Sequence, residues 1–241
     1  ADDFIRIQDL WSMFVPKWYW FAISLFITLT IAVLYLLSTP PIYTRTAAIL
    51  VKDNSKSSSS TSAMNDFSDL GIFKSNTNIN NELLTLKSPT LMTEVVNRLG
   101  LNETFTIRKG LKNVDLYKVS PVTITFCDKI EVPLSFTIKF SSKEAFAISE
   151  LEISGEDIGE TLSAQMGDSI QTSAGIMIVS PTQEFTDVFI GTSIRYVRGS
   201  VRAAVDTYSH ALVAELGNED ATIINLSIND TSIRKAEDIL N

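Results

Sequence analysis

The 241-residue sequence is poor in the residues from which most sites are built. It holds one cysteine, Cys127, and one histidine, His210. A disulfide within the chain is therefore excluded, and a zinc site made from the usual Cys and His ligands is improbable. No GxxxxGK[ST] or GxGxxG is present to cradle a phosphate, and no GxSxG to present a nucleophilic serine. Carboxylates are plentiful, for example Glu150, Glu152, Glu156 and Asp157, but nothing marks two of them as a catalytic pair. The net charge of −8 argues against a nucleic-acid partner, since nothing would neutralise the phosphates. No catalytic residue, cofactor or metal is expected, and the chain does not read as an enzyme.

Charge is also missing locally. Between Lys17 and Arg45 there is none. Trp18 to Ser38 is nearly all apolar, and its few Ser and Thr can bond their hydroxyls back to helix carbonyls. At ~1.5 Å rise per residue the run spans roughly the ~30 Å hydrocarbon core of a bilayer. Trp18, Tyr19 and Trp20 crowd one end, and Tyr35 and Tyr43 the other, as aromatic belts do at headgroup depth. The reading is a transmembrane helix over 18–38. The alternative, a buried core helix, is rarely uncharged for so long. A cleaved signal has a shorter apolar region and a small-x-small site, which LLSTPPIY does not supply.

Residues 1–17 read as an amphipathic segment. Phe4, Ile7, Trp11 and Phe14 recur at helical spacing opposite Arg6, Asp9 and Ser12, and Pro16 ends the pattern. Trp11, Lys17, Trp18, Trp20, Tyr35 and Tyr43 are the candidate membrane-interface residues. Lysines and arginines occur on both sides of the helix, so charge alone does not orient it.

Residues 39–241 read as one α+β domain, with a mixed or antiparallel sheet. A strand is expected over 43–51, then a flexible Ser-rich loop over 53–66. Two helices follow in 78–99. The second is capped by Ser88, with Pro89 at its first position and Gly100 at its end. Strands are expected over 121–126, 134–140, 145–154, 175–179 and 187–198, the last with a bulge at Gly191. Ser200 opens a helix running to Leu216 and ended by Gly217. A strand over 221–228 and a helix capped by Ser232 complete the chain. Helices 80–99 and 201–216 are expected to pack on one sheet containing 43–51, 121–126 and 221–228. Pairing the first strand with the last would return the chain to the bilayer. The sequence begins with Ala1 and stops within a helical pattern, so a fragment is expected.

Two lone residues are read as structural: His210 on a helix, with a surface or structural role, and Cys127 as a small buried hydrophobe. Arg195, Arg198 and Arg202 cluster on a strand and the following helix start. They read either as surface partners for the excess acids or as contacts to an anionic ligand or a second subunit, with the stretch Glu150 to Glu160 as complement.

Several blocks together resemble the chain-length-determinant (Wzz-type) family of polysaccharide co-polymerases. They are Leu10-Trp11 before an aromatic-flanked membrane helix, the exit Pro41-Ile42-Tyr43, and a strand ending near Asp53. Asn81-Glu82, Leu84 and Ser88 follow, leading to Val95-Val96 and Leu99, and then LSIND before Ala236-Glu237-Asp238-Ile239-Leu240-Asn241. Many members carry Pro where this chain has Ile233. The resemblance covers 3–52, 78–101 and 186–241, and no matching motif occurs in 121–180. It implies a bacterial inner-membrane protein with a cytoplasmic N-terminus and a periplasmic domain. Such proteins form homo-oligomeric rings that govern the length or export of capsule, exopolysaccharide or O-antigen chains, together with the polymerase and export machinery. The larger members, in which a cytoplasmic tyrosine kinase follows a second membrane helix, are the branch implied. The residues themselves leave a second class open: a membrane-anchored periplasmic sensor that binds a ligand and signals inward. A third, an anchored hydrolase, would need a catalytic group in a cleft.

Overall fold

The computed structural model describes residues 17–51, 76–127, 132–217 and 223–241. The amphipathic segment 1–16, with Trp11, and the Ser-rich stretch 53–66 lie outside the described residues. Contacts divide the chain into two units, one holding the apolar helix and residues 109–113, the other residues 41–108 and 114–241, and each is described by itself.

Helix α1 spans Trp18–Ser38, as the charge gap predicts, and buries no residue. It is long and apolar enough to cross a membrane. The Thr28 and Thr30 hydroxyls each donate to the carbonyl four residues back at 2.8 Å, so an apolar medium meets no free hydroxyl there.

The domain is α+β, and its strands pair antiparallel. In chain order it runs β1 (Tyr43–Leu50), α2 (Asn76–Leu86), α3 (Pro89–Leu99), β2 (Glu103–Lys109), β3 (Lys112–Asp115), β4 (Val122–Phe126), β5 (Leu134–Phe140) and β6 (Ala145–Ile153). It continues with β7 (Glu156–Asp157), β8 (Leu162–Gln165), β9 (Ser169–Thr172), β10 (Gly175–Pro181), β11 (Ser193–Arg198), α4 (Val201–Ala211), β12 (Leu212–Leu216), β13 (Ile223–Asp230) and α5 (Ile233–Leu240).

The strands form three sheets rather than the single one expected. β1 does pair with β13, in the order β1-β13-β12, with Tyr43 opposite Asp230. Residues 122–126 are not in that sheet. They form β4-β10-β9, and the largest sheet is β3-β2-β11-β5-β6-β7, with β8 also paired to β6. The last two sheets enclose the main core, in which Phe136, Phe140, Phe146, Ile148 and Tyr196 meet Val122, Met177 and Val179. Phe105 and Phe136 each lie 5.0 Å, centroid to centroid, from the Tyr196 ring. A register shift opposite Ser135 and Thr137 places an extra residue in β6 at Glu150, whose φ is +55°. That residue moves the buried side of β6 from Phe146 and Ile148 to Leu151 and leaves Glu150 exposed.

The helices divide the remaining apolar surface. α3 and α4 share a cluster of Met92, Val96, Leu101 and Val205. α3 keeps its expected caps: the Ser88 hydroxyl accepts the Thr90 N–H, Pro89 opens the helix, and Gly100 adopts φ +64°. The sheet β1-β13-β12 is covered by α2 and α5, where the expected cover was 80–99 with 201–216.

Two further expectations are corrected. The helix from Ser200 ends at Ala211, and Leu212 turns into β12. LVAEL favours helix on propensity, but pairing with β13 and burial of Ala214 decide for strand. Gly217 accordingly closes the β12–β13 connection, with its N–H on the Ile223 carbonyl, rather than capping a helix. In 187–198 only β11 is strand. Residues 187–189 form a 3₁₀ turn, and Gly191, at φ +80°, takes the bend after it rather than a bulge.

Val96 is fully buried on α3. Val96→Asp should cost several kcal/mol, comparable with the ~5–15 kcal/mol that a whole domain has. Thermal melting of the detergent-solubilised chain should show a large drop; an unchanged midpoint would place this face outside the core.

Candidate functional site

The segment 112–122 joins two features: a network of charges that holds α5, and a groove beside it. Sequence reasoning assigned neither, because it drew no element between Gly100 and Pro121.

The centre of the network is Lys235, only 6% exposed. Ser232 caps α5 by accepting the Lys235 N–H, which sets the lysine at the first turn, facing inward. Its ammonium group pairs with Asp115 Oδ2 and lies 5.7 Å from the centre of the Tyr117 ring. Burial works to lower the lysine's pKa, but Tyr208, Asp115 and Asp230 outweigh it and the net shift is upward. Asp115 also shapes the backbone, because its Oδ1 accepts the Tyr117 N–H at 3.0 Å and folds the chain into a tight turn. A sign of this arrangement was present in the sequence. Lys235 stands four residues before Ile239, next to the apolar stripe of α5.

Two more ion pairs flank it. Lys118 Nζ lies 2.6 Å from Asp238 Oδ2, and Arg45 Nε lies 3.1 Å from Glu237 Oε1. α5 is thus tied to β1 on one side and to 115–118 on the other. Lys118 itself has φ +57°, an uncommon conformation for a residue with a Cβ. The Tyr117 phenol is held well above its usual pKa, first by burial and then by Asp238.

The groove has a volume of about 310 Å³. Leu99, Phe105, Leu116 and Val122 contribute apolar surface, while Glu103, Tyr117, Lys118, Thr123 and Glu184 contribute polar groups. Glu103 is half-buried against Arg198, and burial raises its carboxyl pKa although Arg198 and Tyr196 pull the other way. The wall is fixed by main-chain bonds from Leu116 to Phe105 (2.8 Å) and from Val119 to Leu116 (2.9 Å). The Thr182 hydroxyl adds a bond to the Ser120 carbonyl (2.7 Å).

The residues singled out from the sequence do not meet in one place. Lys17, Trp18 and Trp20 stand at the start of α1 and Tyr35 near its end; Trp18, Trp20 and Tyr35 are well exposed. Tyr43 opens β1 and is 40% exposed. Arg195 hydrogen-bonds Glu152 Oε2 (3.1 Å) and Ser135 Oγ (3.2 Å), a pairing with the acid-rich stretch inside one chain. Arg198 stands 3.7 Å from Glu103 and 4.8 Å above the Phe126 ring. Arg202 is exposed. His210 is exposed, with Nδ1 at 2.7 Å from the Asp206 carbonyl, in keeping with a surface role. Cys127 is exposed, not buried as expected: it follows the last residue of β4, where side chains leave the core. Among the described residues no group of His, Cys, Asp and Glu could hold a metal ion.

Comparison with known families adds one finding to this geometry. Residues 3–99 match Wzz, the chain length determinant protein. The match takes in α1, β1, α2 and α3 and less than half of the chain. The Wzz resemblance read from Leu10-Trp11, Pro41-Ile42-Tyr43 and the 81–99 block is therefore the family found there; the block at 186–241 lies beyond the matched residues. No curated protein matches the chain. The Wzz match supports a role in determining polysaccharide chain length. α1, long and apolar enough to cross a membrane, lies within the matched residues, which supports membrane anchoring.

Two measurements probe the network. Lys235→Met leaves Asp115 buried without its cation and should cost about 3–5 kcal/mol in denaturant unfolding. Adding Asp115→Asn should recover a large part of it; no recovery would mean the two do not act as a pair. The second concerns acid. The Asp238 pKa is lowered, chiefly by its bond to Lys118. A depressed carboxylate contributes stability above its unfolded value of ~3.9 and loses it as pH falls through the folded value. Acidification below about pH 4 should therefore loosen α5, and Lys118→Met should flatten that part of the stability–pH curve. A curve identical to wild type would remove Lys118 as the cause.

Proposed function

We propose that the chain is an oligomeric scaffold in a bacterial inner membrane that regulates the length or export of a surface polysaccharide. The observation that carries this reading is an apolar, fully exposed helix lying within the segment that matches Wzz. α1 crosses the membrane, the N-terminus is cytoplasmic, and residues 39–241 form the periplasmic domain. Trp18 and Trp20 sit at one headgroup layer and Tyr35 and Tyr43 near the other. The scaffold acts with the polymerase and export machinery and performs no chemistry of its own.

Self-association is part of the reading. In a ring each contact joins two different patches of the same protein. A domain with net negative charge needs cations at such contacts to avoid repulsion. Of the three clustered arginines, Arg195 and Arg198 already face carboxylates of their own chain, while Arg202 is exposed at the start of α4. Arg202 is thus the free half of the contact, with Arg195 and Arg198 beside it.

The reading is tested in the producing cell. A strain lacking the protein should make surface polysaccharide with an altered length distribution on a gel, restored by the wild-type gene; an unchanged distribution would overturn it. Arg202→Glu should shift the oligomer distribution toward smaller species in native mass spectrometry of the solubilised chain. An unmoved distribution would take the arginines out of the contact without touching the polysaccharide result.

A further inference from the structure

We infer that the groove between α3, the 115–123 segment and the 182–184 turn binds sugar units of a polysaccharide, as an uncharged or weakly charged, hydroxyl-rich ligand. This deepens the chain-length reading and rests on it. The volume of about 310 Å³ falls at the lower end for ligand sites. The lining has the division that a pyranose ring has. Leu99 and Phe105 offer apolar surface to the C–H face of a sugar, and the exposed Thr123 and Glu184 stand where its hydroxyl edge would lie.

Charge selects the ligand class. Three of the charged side chains at the groove are already neutralised within the fold: Glu103 by Arg198, Asp115 by Lys235, and Lys118 by Asp238. Glu184 is exposed and in no ion pair among the described residues. A carboxylate accepts hydrogen bonds and donates none. The groove therefore repels a phosphate or a nucleotide and rewards a ligand that donates hydroxyl protons. Its wall is rigid before any ligand arrives: Asp115 and Ser120 each hold a turn, the latter by a 2.7 Å bond to the Val122 carbonyl. Little ordering is left to oppose binding.

The test uses the full chain in detergent and, as probe, oligosaccharides made by fragmenting the producing cell's own surface polysaccharide. Saturation-transfer NMR should show sugar protons contacting the protein. Glu184→Gln and Thr123→Val change exposed side chains and should leave the melting temperature unchanged. Together they should weaken binding by about tenfold, the effect of one or two lost hydrogen bonds. A distant exposed change, Glu215→Gln, should not. The double variant should also fail to restore the native length distribution in the deletion strain. Absence of saturation transfer, or equal binding by the double variant, overturns the groove as the site. If the deletion strain still shows altered chain lengths in that event, the chain-length reading stands and only the groove falls.

Discussion

Eight residue pairs join β1 to β13, from Tyr43 opposite Asp230 to Leu50 opposite Ile223. The rest of the domain depends on this ladder. It joins the first strand after the apolar helix to the last strand of the chain, so that everything between is a closed excursion. Its inner face supplies Ile224 and Leu226 to a core of its own, covered by α2 and α5. α5 then follows β13 after a two-residue turn in which Asp230 accepts the Ser232 N–H. Because β1 and α5 are both fixed to β13, Arg45 can meet Glu237, and Lys235 can reach Asp115.

Charge is used sparingly where the domain is packed. Lys235 is the one buried ammonium among the described residues, and its partners are the Asp115 carboxylate, the Tyr117 ring and the Tyr208 phenol. An ion pair of this kind contributes less to stability than to specificity, since removing one partner is costly while replacing both by apolar groups often is not. Here it fixes which turn of α5 faces the 115–118 segment. That segment is also the wall of the groove, so the placement of α5 and the shape of the groove have one origin.

Much of this was legible in local patterns. The charge gap from Lys17 to Arg45 marked α1 to the residue, and Ser88-Pro89 with Gly100 marked both ends of α3. LSFTIKF alternates cleanly because β5 packs one face on the core. What was not legible was decided at long range. LVAEL reads as helix until β13 lies beside it. The strands of 103–115 carry too few apolar residues in alternation to stand out, and β7, β8 and β9 are only two to four residues long. The partition into three sheets depends on crossovers that no local pattern encodes. For the same reason the groove, drawn from 99–105, 115–123 and 182–184, left no motif.

Placement of the domain outside the cytoplasm is the claim on which the polysaccharide reading turns, and the chain carries its own probe for it. Cys127 is the only cysteine and is exposed on the domain. Spheroplasts would be treated with a membrane-impermeant maleimide before and after lysis. An extracytoplasmic domain predicts full labelling of Cys127 before lysis, and none in a Cys127→Ser control. Labelling that appears only after lysis would put the domain in the cytoplasm and contradict the assignment.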